Sequence, residues 1–94
     1  MALFIVVSIE SGAALETKIK ELYPNDYYEI SPGGKWFVVS PLVTAKQLSD
    51  QLGITPPPPA EGMRAVIVSS RGYFGRGPKD MWEWVAAKST NANA

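Results

Sequence analysis

The hydrophobic pattern of the chain switches between short β-branched runs and stretches whose apolar residues recur at helical spacing. Leu3 to Ile9 is an apolar run of strand size and predicts a buried first strand. Ser11-Gly12 opens a helix in which Leu15, Ile19 and Leu22 fall at i, i+4 and i+7, and Pro24-Asn25-Asp26 ends it. Tyr27 to Ile30 begins a second strand, Ser31-Pro32-Gly33-Gly34 is a turn signal, and Trp36 to Ser40 is a third strand. These two strands form a predicted hairpin. Thr44 followed by Gln47 has the capping-box pattern, and Val43 is placed to staple against Leu48. Leu48 and Leu52 then face the core, and Gly53 suits the left-handed position after the helix. Pro56 to Pro59 reads as a stiff loop; it is formally a PxxP, but no basic residue flanks it. Arg64 to Ser70 is a fourth strand, and Pro78 opens a third helix that runs through Lys88.

The order β-α-β-β-α-β-α has two crossover helices around a central hairpin. It predicts an α+β, ferredoxin-like βαββαβ fold with a four-stranded antiparallel sheet and an additional C-terminal helix. At 94 residues the chain holds one domain, placed at 1–88, with a flexible tail over 89–94.

In this architecture a sheet with one solvated face should alternate polar and apolar residues. The first strand instead has Leu3, Ile5 and Val7 on one parity and Phe4 and Val6 on the other. The third strand sets Trp36 and Val38 opposite Phe37 and Val39. Trp82 and Trp84 lie about 200° apart on a helix, so they are not expected to meet one surface. Such an apolar excess predicts a homodimer with Trp36, Trp82 and Trp84 at its interface. The competing expectation is a monomer whose third helix folds back over the open face.

Composition narrows the chemistry. With no cysteine and no histidine, thiolate metal sites, cysteine nucleophiles and the Ser-His-Asp triad are excluded. Nine basic side chains balance nine acidic ones, so there is no global pull toward nucleic acid or an anionic membrane. The N-terminal apolar run is too short to span a bilayer and lacks the basic flank of a signal peptide, so a cytoplasmic location is expected. The loop from Ser69 to Lys79 is the strongest binding candidate. It joins a strand to a helix start, carries Arg71, Arg76 and Lys79 for an anion, and offers Tyr73 and Phe74 to stack a base. Its glycines match neither a Walker loop nor a dinucleotide fingerprint, and Asp80 competes for the helix terminus. The alternative is that those glycines only bend the chain. A second candidate is the sheet face, where Phe4 with Trp36 or Phe37 could stack RNA bases. Hydrolysis would rest on Glu10, at the end of the first strand, with Ser8 and Ser11 near it. No cofactor and no resident metal are implied.

The runs Phe4 to Ile9, Lys35 to Ser40 leading into Thr44 to Leu48, and Asp80 to Val85 resemble small bacterial proteins labelled SinR-family. Those are similar to the small ferredoxin-like subunit of the CRISPR adaptation complex and to VapD-type endoribonucleases. The resemblance implies a homodimer with sheets packed face to face. It also implies, for the metal-dependent nucleases of that group, an aspartate at the end of the first strand. Ile9 stands there in this chain, with Glu10 one place on. The sequence therefore supports two readings. One is a non-enzymatic dimeric module contacting protein or nucleic acid; the other is a degenerate metal-dependent nuclease centred on Glu10.

Overall fold

A computed structural model describes residues 2–9, 12–31, 34–55, 64–70 and 76–92. The elements are β1 (Ala2–Ser8), α1 (Ala13–Leu22), β2 (Tyr27–Ser31), β3 (Lys35–Ser40), α2 (Ala45–Leu52), β4 (Ala65–Ser70) and α3 (Lys79–Ala92). The four strands form one antiparallel sheet in the order β2-β3-β1-β4. This is the expected α+β arrangement, ferredoxin-like with an added C-terminal helix.

The central strands are the two whose side chains are apolar on both parities. On one face Phe4, Val6, Trp36 and Val38 pack under Leu15 and Ile19 of α1 and Leu48 and Leu52 of α2. On the other, Leu3, Phe37 and Val39 pack against Met81 and Val85 of α3. The third helix thus folds back over the second face within one chain. That hides much of the apolar surface from which association was expected.

Local chemistry explains the helix ends. Thr44 Oγ1 accepts the Gln47 N–H at 3.1 Å, and Gln47 Oε1 accepts the backbone N–H groups of Thr44 and Val43 at 3.1 and 2.8 Å. Three backbone donors at the helix start, those of Gln47, Thr44 and Val43, are thereby satisfied. The expected staple does not form: Val43 is 75% exposed, and Leu42 packs against the core instead. The Gln47 side chain already holds the entry backbone, so the staple is not needed to fix it. Gly53 closes α2 at φ 90°, as glycine there permits. The third helix begins at Lys79 with Pro78 just before it, and the Trp82 N–H reaches the Pro78 carbonyl. It continues to Ala92 instead of ending at Lys88, so most of the segment read as a tail is helical. Ser89 to Ala92 contains no proline or glycine to break the ladder.

Polar side chains inside the helix-covered face are few. The hydroxyls of Tyr23 and Ser40 are 2.9 Å apart, Tyr23 also bonds Gln51, and Ser40 Oγ accepts the Leu42 N–H at 3.1 Å. This network ties the end of α1 to β3 and α2. Trp36 differs, because its Nε1 is buried without a hydrogen-bond partner among the described residues. Its ring runs beneath Gly34 at φ 116° and Gly12 at φ 78°, and a Cβ on Gly34 would come within 2.7 Å of Ser8 Cβ. Glycine is required at both turns by conformation and by this close approach.

Three outcomes follow from the packing and charges. Leu48→Ala, which empties a fully buried site, should lower the unfolding free energy in denaturant titrations by about 2–5 kcal/mol. Trp36→Phe removes an unpaired buried donor along with ring volume, so its loss should be smaller than that of Leu48→Ala. A larger loss would mean that Nε1 is engaged. Lys46 and then Thr55, both hydrogen-bonded to the Asp50 carboxylate, hold it below its ordinary value. A depressed folded value stabilises above the unfolded carboxylate range and is lost as pH falls through the lower folded value. The melting-temperature gap between the native chain and Asp50→Asn should therefore be open at neutral pH and close on acidification.

Candidate interaction surface

The third helix is fixed to the sheet by its apolar stripe and by polar clasps toward each end. Met81 and Val85, at i and i+4, form the stripe, and Trp82 and Trp84 flank it on either side. Each flank still reaches a flat sheet, so both tryptophans pack on the same cluster although they diverge around the helix. Trp84 stacks on Phe37 with centroids 6.4 Å apart and tilts against Tyr28 at 5.7 Å. Tyr28 donates its hydroxyl to Asp80 at 2.9 Å, and burial followed by this carboxylate raises the phenol above its ordinary pKa. Toward the other end, Lys88 Nζ lies 2.8 Å from the Asp26 carboxylate.

One helix is about 10–12 Å across, whereas four strands about 4.8 Å apart make a wider sheet. The packing follows this mismatch, because α3 lies over β2, β3 and β1 and does not reach β4. Uncovered beyond it is an apolar strip. Val66 stands opposite Val7 and Val68 opposite Ile5, all on the α3 face. Val66 and Val68 are 50% and 49% exposed, and Ile9 just past β1 is 59% exposed. On the opposite parity, Ala65 and Ile67 pack against the cluster under α1 and α2. Among the described residues no strand lies beyond β4.

The two sheet edges differ in chemistry. Strand β4, Ala-Val-Ile-Val-Ser-Ser, carries no charge and no proline and keeps a regular register with β1. Strand β2 carries Glu29 and a register shift between Glu29 and Ser31. Charges and bulges are what protect an edge from adding another strand, so only β2 is protected in this way.

The residues singled out from sequence are distributed differently. Trp36, expected at an interface, is 1% exposed in this chain and packs under α1 and α2. Phe4 is buried in the same cluster and Phe37 lies beneath Trp84, so neither ring presents a free face to a base. Trp82 and Trp84 are half-buried on the α3 face. Arg76 and Lys79 are exposed, and Lys79 pairs at 3.8 Å with Glu83. Asp80 is taken by the Tyr28 hydroxyl. Arg71, Tyr73, Phe74 and Glu10 lie outside the described residues. Among the described residues no three carboxylates gather as a metal site would require, and no cavity opens. No described helix is long and apolar enough to cross a membrane. Val66 and Val68 escaped the sequence reading; only their parity with Val7 and Ile5, once β4 is placed beside β1, marks them. The chain matches no family model, and no curated protein or solved structure gives a significant match.

Proposed function

We propose that the chain is a non-enzymatic, cytoplasmic interaction module that associates as a homodimer through the β1–β4 side of its sheet. The observation that carries this reading is the uncharged edge strand β4 with two half-exposed valines beside Val7. A contiguous apolar strip on an unguarded edge loses unfavourable hydration when covered, and its backbone can add a strand. The absence of cysteine and histidine supports a binding role over a catalytic one, since a thiolate nucleophile and an imidazole general base are missing. Face-to-face sheet packing, implied by the resemblance, would have to displace α3 from β2 and β3. Association on the β4 side leaves α3 where it is.

Sedimentation of the native chain over about 1 μM to 1 mM, affinities of about −8 to −4 kcal/mol, should show a concentration-dependent shift from monomer to dimer. Val68→Lys puts a charge in the strip and should stay monomeric. Compared at a concentration where both chains are monomeric, its unfolding free energy should change by no more than about 0.5 kcal/mol, because the side chain is half-exposed and not in the core. A native chain that sediments as a monomer throughout would overturn the reading.

A further inference from the structure

The partner's identity and its register can be read from the backbone of β4, given that this strand is the association surface. The Ile9 N–H donates to the Arg64 carbonyl at 2.8 Å. Continuing the antiparallel alternation through the β1–β4 register, Val66, Val68 and Ser70 direct their N–H and C=O groups toward β1. Ala65, Ile67 and Ser69 then direct theirs toward the open edge. We infer that a second copy of this chain adds its own β4 there, antiparallel, with Ile67 on the two-fold axis.

Three features favour this occupant. A two-fold axis perpendicular to the sheet keeps side chains on the same face, so only residues of equal parity can stand opposite one another. Centring on Ile67 makes Ile67 with its copy, and Ala65 with Ser69 of the partner subunit, the pairs that exchange backbone hydrogen bonds. It sets Val66 opposite Val68 of the partner subunit twice over, gathering four half-exposed valines into one patch. Charge is also compatible. The strand carries none, and Arg64 just before it falls opposite Ser70 of the partner subunit and not opposite another arginine. Finally, the other edge does not match. The bulge and Glu29 of β2 resist a β4-to-β2 contact, so the pairing closes as a dimer and does not extend as a filament.

The chain has no cysteine, so introduced thiols report the register directly. Val66 and Val68 of opposing copies form a non-hydrogen-bonded pair with Cα atoms about 4.5 Å apart, within disulfide reach. Val66 and its own copy lie on the diagonal, about 7–8 Å apart, as do Val68 and its copy. Under mild oxidation, a mixture of V66C and V68C chains should form the mixed disulfide roughly tenfold or more faster than either variant links to itself. K46C, at an exposed site on α2, gives the collision background. Rapid self-linking of V68C would place the axis at Val68 and overturn the inferred register while leaving the dimer standing. A dimer by sedimentation in which no pair links above background would overturn β4 pairing. A monomer by sedimentation, with linking only at background, would overturn both the interaction reading and this inference. Sedimentation and circular dichroism of the reduced variants check that each still folds and associates as the native chain does.

Discussion

Everything in this structure follows from two central strands that are apolar on both sides. β1 and β3 place Phe4, Val6, Trp36 and Val38 on one face and Leu3, Phe37 and Val39 on the other. Neither face can be left in water without exposing a large apolar area. Two crossover helices cover the first face, as the topology obliges them to. The second face has no helix from the βαββαβ unit itself, so α3 serves as its cover.

Covering by one helix is geometrically incomplete, and this gives the protein its asymmetry. The helix centres its Met81–Val85 stripe on β1 and β3, and Trp84 reaches outward to Phe37 and Tyr28. The Tyr28–Asp80 and Lys88–Asp26 contacts hold it toward β2. That bias leaves Val66 and Val68 at the opposite edge only half covered. The same displacement that secures one edge of the sheet thus leaves the other available.

The helix-covered face carries a different kind of information. Tyr23, Ser40 and Gln51 satisfy one another across three elements, so α1, β3 and α2 have a unique mutual placement. Trp36 fills the space between them with its Nε1 unpaired among the described residues, a cost of desolvation offset by the volume its ring supplies. Gly12 and Gly34 are the backbone's accommodation to that ring, since each lies in a conformation and at a distance that a side chain would oppose.

The order of elements was legible in the sequence because each has a local cause: the Leu15–Ile19 stripe of α1, the Thr44–Gln47 box, the Gly53 stop, the runs of β-branched residues in strands. So were the two-sided strands, which called for a cover on each face. Whether that cover came from the same chain or another was not written locally, because it depends on where α3 returns in space. The interface role expected of the tryptophans depended on the same unknown. Trp36 lies under α1 and α2 because its parity in β3 matches Phe4 and Val6 once the strands are in register. Trp82 and Trp84 share a surface because the sheet beneath them is broad and flat. Val66 and Val68 are, in the sequence, apolar positions of the fourth strand with nothing to set them apart. Only the strand order, which puts β4 at an edge beyond the width of α3, turns them into surface.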